Sequence, residues 1–173
     1  MARLLILTAP DPRLKVKCRR VETVDDEVRR LMDDMLDTMY VAPGIGLAAP
    51  QVGVARRVLV IDVAKNGEER RPLRLVNPEI VWSSADLNTY EEGCLSVPEQ
   101  YADVTRPRAI RIRYIDHENE IRELAADGLL ATVIQHEMDH LDGVLFVDHL
   151  SALKRNMILK KMVKRKSQAE PAL

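Results

Sequence analysis

Apolar residues recur at Val28, Leu31, Met32, Met35, Leu36 and Met39, the three-and-four spacing that lines one face of an α-helix. Acidic residues fill the first turn and Thr23 or Asp25 is placed to cap it, so a helix is predicted over residues 25–40. Its methionine stripe reads as core filling, the usual role of an unbranched, adaptable side chain. Pro43, Gly44, Gly46 and Pro50 then break the pattern, and the period changes. RVLVIDV at 57–63 and LRLVNPEIVW at 73–82 read as strands. AIRIRYID at 109–116 and EIREL at 120–124 flank His117, Glu118 and Asn119, a hairpin whose arginines face water. The run LLATVIQHEMDHL at 129–141 returns to helical spacing, and Gly143 stands where a helix C-terminal cap belongs. Ser151 can cap a third helix whose last turns carry Lys160, Lys161, Lys164, Arg165 and Lys166, cations suited to the negative end of the helix dipole. Residues 167–173 are expected to form a flexible tail.

These elements predict a single α+β domain over residues 1–166, with antiparallel or mixed sheets around a central helix at 129–141 and further helices on the N- and C-terminal sides. Composition agrees. Apolar residues make up 46% of the 173 and charged residues 31%, the balance of an ordinary globular protein, and aromatics at 3% leave the core to aliphatic side chains. Lys plus Arg (26) against Asp plus Glu (27) leaves a net charge of −1, so no global field exists to hold a polyanion. That disfavours a whole-protein role in nucleic-acid binding and any direct sequence-specific contact with it. The basic third helix reads as a solvated face, the alternative being a dock for a partner rich in nucleic acid. The apolar run Leu4–Leu7 ends in Pro10, Asp11 and Pro12, too short for a signal-peptide core, and no transmembrane stretch is visible. Cys18 and Cys94 cannot make a disulfide framework. The cytoplasm, without membrane contact, is the expected location.

The candidate chemistry starts at His136, Glu137, Met138, Asp139 and His140. Two histidines four apart on a helix project from one face, so both imidazoles can reach one metal ion with the glutamate beside the open position. A catalytic metal usually takes three protein ligands and keeps a position for water. One common continuation of HExxH asks for a histidine at position 146, which is Phe; another uses a downstream glutamate, and Glu170 lies in the expected tail. Upstream, Cys94 is the remaining candidate, the alternative being a buried structural cysteine. His117 and His149 have no such spacing and read as surface or structural residues.

Three segments, in order, carry a specific resemblance: GIGLAAPQ at 44–51, EGCLS at 92–96 and QHEMDHLDG at 135–143. Together they resemble the three motifs of the peptide deformylases, and the likeness extends from the opening apolar run to the third helix, as in bacterial members that end in a helix. Val133 departs from the cysteine expected in many members, an apolar-for-apolar change. The resemblance implies that Cys94, His136 and His140 are metal ligands and that Glu137 is the general acid and base. It makes the Gln51 side chain and the Leu95 backbone N–H the donors to the oxyanion. It places the substrate peptide as an added strand along Ile45, Gly46 and Gly93, where Gly44 and Gly46 let it approach the main chain. Its first side chain would sit in a pocket lined by Ile45, Leu129 and Val133, while Glu92 orients His136 or His140. The implied cofactor is one divalent metal, Fe²⁺ first, with Ni²⁺, Co²⁺ or Zn²⁺ able to substitute. The implied substrates are N-formyl-methionyl peptides of nascent proteins; if the basic helix docks a partner instead of standing in solvent, the ribosome is the candidate. An HExxH peptidase and a non-catalytic metal-binding module are the alternative readings.

Overall fold

The β2 strand, Val58–Ile61, is buried at all four positions, with no inside-outside alternation. Its neighbours in space explain why. In the computed structural model, which describes residues 3–169, helix α1 (Asp26–Val41) covers one face of the sheet and helix α2 (Gly128–Leu141) the other. Val58 and Val60 pack with Met32, Met35 and Met39 of α1, whereas Leu59 and Ile61 pack with Ala131, Ile134 and Leu141 of α2. The three methionines are 0% exposed; burying each is worth about 1.5–3 kcal/mol. Asp25 caps α1, its carboxylate accepting the Val28 N–H at 3.0 Å.

The sheet that these helices sandwich has five antiparallel strands in the order β1 (Gly46–Ala48), β2, β3 (Leu73–Ser83), β6 (Ala109–Ile115), β7 (Ile121–Asp127). A second, two-stranded antiparallel ribbon pairs β4 (Leu87–Cys94) with β5 (Val97–Pro107). The sequence pattern did not predict this ribbon, nor β1. The ribbon's polar, glycine- and proline-interrupted strands bury few side chains, so no long apolar run marks them. The β6–β7 hairpin stands as expected, with Arg111 and Arg113 exposed. Asp116 holds its turn by accepting the Glu118 and Glu120 N–H groups.

Two residues beyond the end of helix α2 stands Gly143, whose φ of +75° favours glycine and where a Cβ would lie 2.6 Å from the Lys15 carbonyl carbon. The N-terminal segment docks there, the Cys18 N–H bonding the Leu141 carbonyl at 2.8 Å. Helix α3 (Ala152–Ala169) closes a third cluster through Ile158 and Met162, against Leu14, Val104, Phe146 and Val147. The Ser151 hydroxyl accepts the Lys154 N–H at 3.3 Å, as a cap should. The helix extends through residues 167–169 of the expected tail; residues 170–173 lie outside the described residues.

Candidate active site

Helix α2 turns Leu129, Thr132, Val133, His136, Glu137 and His140 to one side, the i, i+3, i+4, i+7 face that the ribbon and β1 cover. Cys94, at the end of β4, meets that face. Its sulfur lies 3.4 Å from His140 Nε2, and one ligand atom from each of Cys94, His136 and His140 lies within 4.8 Å of the others. The His136 Nδ1 is committed to Glu92 Oε1 at 2.9 Å, which leaves its Nε2 for this centre. Ring contacts fix the imidazoles further: they meet edge-on at 5.2 Å, and Phe146 stacks on His136 at 6.0 Å. Position 146 thus supports a histidine instead of supplying one.

The donor set fits a divalent metal: one thiol and two imidazoles, the chemistry of late first-row ions. The charge around it fits as well. Burial pushes the His136 proton affinity down, but Glu137, Cys94 and Glu92 pull harder and hold the ring well above the ordinary histidine range. A site whose field draws a proton onto a buried imidazole also attracts a cation. Burial, reinforced by His136 and Arg106, pushes His140 well below that range, leaving it neutral. His140 Nδ1 and Glu137 Oε1 are buried without a hydrogen-bond partner among the described residues.

Glu137 lies just inside this centre, Oε2 3.9 Å from His136 Nε2 and Oε1 4.0 Å from His140 Nε2. Burial raises its pKa to about 7, with His136 countering only in part. Gly46 makes room for it: a Cβ there would fall 2.5 Å from Glu137 Oε2. On the other side, buried Gln51 accepts the Ala48 N–H through Oε1 at 2.9 Å and turns Nε2 toward Ser96 Oγ at 3.0 Å and the Cys94 sulfur at 3.5 Å. Leu95 follows Cys94 in the β4–β5 turn.

The centre opens into a cleft of about 640 Å³ lined by Ile45, Gly46, Gly93, Leu95, Glu99 and Tyr101 among others. A recess of about 100 Å³ that shares Ile45, Gly93, His136 and Glu137 runs toward Leu129, Thr132, Val133 and Tyr90. The structure therefore brings the sequence-designated site residues to one place. Glu92 also borders the recess, but its carboxylate is turned to His136 and Arg106 and is not free for a substrate.

Sequence reasoning missed Arg106, Ser96, Tyr90, Thr132 and Tyr101. Arg106 donates to Glu92 at 2.7 and 3.0 Å and to Asp139 at 2.9 Å, and His149 Nε2 lies 2.8 Å from the same Asp139 oxygen. Burial pushes the Glu92 carboxylate up, but His136 and Arg106 outweigh it and hold it below its ordinary value. An arginine inside a strand that sequence reads as polar gives no local sign of burial; the need for a cation opposite buried Glu92 was the one available signal.

The sequence profile described as polypeptide deformylase matches residues 4–156. A peptide deformylase of Phenylobacterium zucineum (strain HLK1) is 58% identical over 164 residues, covering 95% of this chain and 97% of that protein. One from Agrobacterium fabrum (strain C58) is 56% identical over 159 residues, covering 92% and 94%. Among solved structures, a peptide deformylase from Ehrlichia chaffeensis in complex with actinonin superposes with a TM-score of 0.92 at 42% identity, covering 98% of this chain and all of that one. One from Legionella pneumophila gives 0.88 at 45% identity, over 98% and 100%. A thiol and two imidazoles beside a buried glutamate, at the head of a cleft, on a chain matched nearly end to end by these proteins, have one reading: the chain belongs to the polypeptide deformylase family.

Proposed function

We propose that this chain hydrolyses the formyl group, as formate, from the N-terminal formyl-methionine of newly made polypeptides. The observation that carries the reading is the grouping of the Cys94, His136 and His140 ligand atoms within 4.8 Å beside buried Glu137. Cys94, His136 and His140 would hold a metal, which would supply Lewis acidity at the formyl oxygen and lower the pKa of water. Glu137, buried beside the ligand atoms, takes the proton of the attacking water and returns it to the departing amine, a task worth about 10²- to 10⁴-fold. Gln51 Nε2 and the Leu95 N–H donate to the oxyanion, Gln51 being held by its bonds to Ala48 and Ser96 before substrate arrives. Glu92 sets the tautomer and tilt of His136, and Arg106 sets Glu92.

The substrate backbone is read as a strand added to β1, which lies at an edge of the five-stranded sheet. The Asp62 N–H bonds the Ile45 carbonyl at 2.9 Å, so strand alternation turns the main-chain groups of Gly46 away from β2 and toward the cleft. Gly93 faces the cleft from the ribbon. Main-chain pairing accepts many sequences, and the recess at Ile45, Leu129 and Val133 selects the first residue. Mass spectrometry of a formyl-Met peptide treated with the metal-loaded protein tests this. Loss of the formyl group alone is expected; internal fragments with the formyl intact would instead indicate a peptidase.

The ligand set suits several late divalent ions. The resemblance to a family of iron enzymes selects Fe²⁺, with Ni²⁺, Co²⁺ or Zn²⁺ as substitutes. Iron-loaded protein prepared without oxygen should be fast and decay in air while the nickel form holds its rate; an air-stable iron form no faster than the zinc form would overturn the assignment. Helix α3 carries Lys154, Arg155, Lys160, Lys161, Lys164, Arg165 and Lys166 without an acidic residue over Ala152–Ala169, which supports a contact with ribosomal RNA. Salt-sensitive co-sedimentation with ribosomes is expected, and neutralising Lys160, Lys161 and Lys164 should abolish it. No described helix is long and apolar enough to cross a membrane, and the work on nascent chains assigns the protein to the cytoplasm.

A further inference from the structure

The recess that receives the first side chain is not uniformly apolar. Thr132 is 4% exposed and lines it, yet its hydroxyl makes no hydrogen bond with any described residue. Thr38, the comparable buried threonine of α1, behaves differently: its hydroxyl donates back to the Asp34 carbonyl at 2.7 Å and accepts the Leu4 N–H at 2.9 Å. Tyr90, half-buried, lines the same recess, and its hydroxyl has no partner among the described residues. It stands over the start of α2, 3.6 Å from where a Gly128 Cβ would be. That helix end has no side-chain cap, because Asp127 makes no capping bond, so its positive end adds to the two hydroxyls. The recess, about 100 Å³, has room for the outer part of one extended side chain such as that of methionine. A thioether is only a weak acceptor and leaves both hydroxyls nearly unused.

We propose that the hydroxyls of Thr132 and Tyr90 make this recess accept a methionine-length side chain ending in a strong acceptor, so that N-formyl-methionine sulfoxide peptides are substrates beside N-formyl-methionine ones. The inference rests on the deformylase reading and adds a substrate class to it. The reaction is the same hydrolysis: water adds, the formyl C–N bond breaks, formate and the free amine leave, and the sulfoxide is unchanged. A wholly apolar recess would bury the S=O group without a donor and reject the sulfoxide by on the order of 10²-fold. Because sulfoxide sulfur is chiral and the donors are fixed, one epimer is preferred.

The test measures formate release by the metal-loaded protein from formyl-Met-Ala-Ser and from each sulfoxide epimer of the same peptide, for the wild type, Thr132→Val and Tyr90→Phe. The readout is the ratio of kcat/KM for sulfoxide to that for thioether, which does not depend on the fraction of active enzyme. For the better epimer the wild-type ratio is expected within about thirtyfold of unity, falling at least about fivefold further in each variant, mainly through KM. A wild-type ratio below that range, or one that neither variant lowers, overturns the proposal. Failure to release formate from formyl-Met-Ala-Ser itself would instead overturn the deformylase reading.

Discussion

Replacing Arg106 with methionine removes the cation that makes a buried carboxylate tolerable. The Arg106 and Glu92 side chains are 6% and 5% exposed, joined by two hydrogen bonds of 2.7 and 3.0 Å, and a third runs to Asp139 at 2.9 Å. In Arg106→Met, Glu92 keeps a single protein partner, His136 Nδ1 at 2.9 Å. Leaving such a charge unpaired costs about 3–5 kcal/mol. Spread over a chain of 173 residues, at about 2–4 °C per kcal/mol, that lowers Tm by about 6–20 °C. Thermal and urea unfolding of the metal-loaded proteins at pH 7.5 measure it. The double variant Arg106→Met with Glu92→Gln replaces the charge by an amide that can still accept from His136, so it should be more stable than the single variant. The sign with pH follows. In the wild type the Glu92 carboxyl is held below its ordinary value, so its contribution is present above about pH 4.5 and is lost as pH falls through the folded value. In Arg106→Met burial dominates and raises that carboxyl, so the deficit should grow from pH 5 to pH 7.5. A deficit under about 1 kcal/mol, or a double variant as unstable as the sum of the two singles, would refute the reasoning.

Two further outcomes are expected. Gly46→Ala should keep helix content and Tm close to wild type but lower kcat by on the order of 10²-fold, because the new methyl falls 2.5 Å from Glu137 Oε2 and displaces it; a rate within threefold of wild type would contradict the packing. Asp116→Asn should weaken the β6–β7 turn, where burial raises the carboxyl but Arg122 and the Glu118 and Glu120 N–H groups hold it below its ordinary value. The wild type then holds its advantage above about pH 4 and loses it as pH falls through the folded value, so the two stability curves should converge on acidification; parallel curves would exclude the assignment.

What the sequence disclosed follows from how each feature is built. Helix α1 was legible because its core face repeats at helical spacing, and Asp25 caps it within one residue of the predicted start. His136, Glu137 and His140 were legible because four residues is nearly one helical turn. Cys94 was found by its motif and by the failure of position 146 to supply a ligand; nothing local shows that β4 ends beside α2. The β4–β5 ribbon was hidden, since its polar strands gain their stability from pairing with each other and from buried Glu92 and Arg106, not from an apolar stripe. The recess hydroxyls were hidden for a similar reason. Thr132 sits in a helix whose pattern favours apolar side chains, and Tyr90 lies on the ribbon, so only tertiary structure joins them.

The most direct test of the account pairs metal content with formate release in Glu137→Gln. Glu137 is assigned proton transfer and no ligation, and an amide fits the same buried space without a charge that burial already disfavours. The variant should fold, bind one metal per chain as the wild type does, and lose about 10²- to 10⁴-fold in turnover of a formyl-Met peptide. Turnover near the wild-type rate would contradict the assignment of the acid and base, and loss of the metal would contradict the division between the three ligands and Glu137.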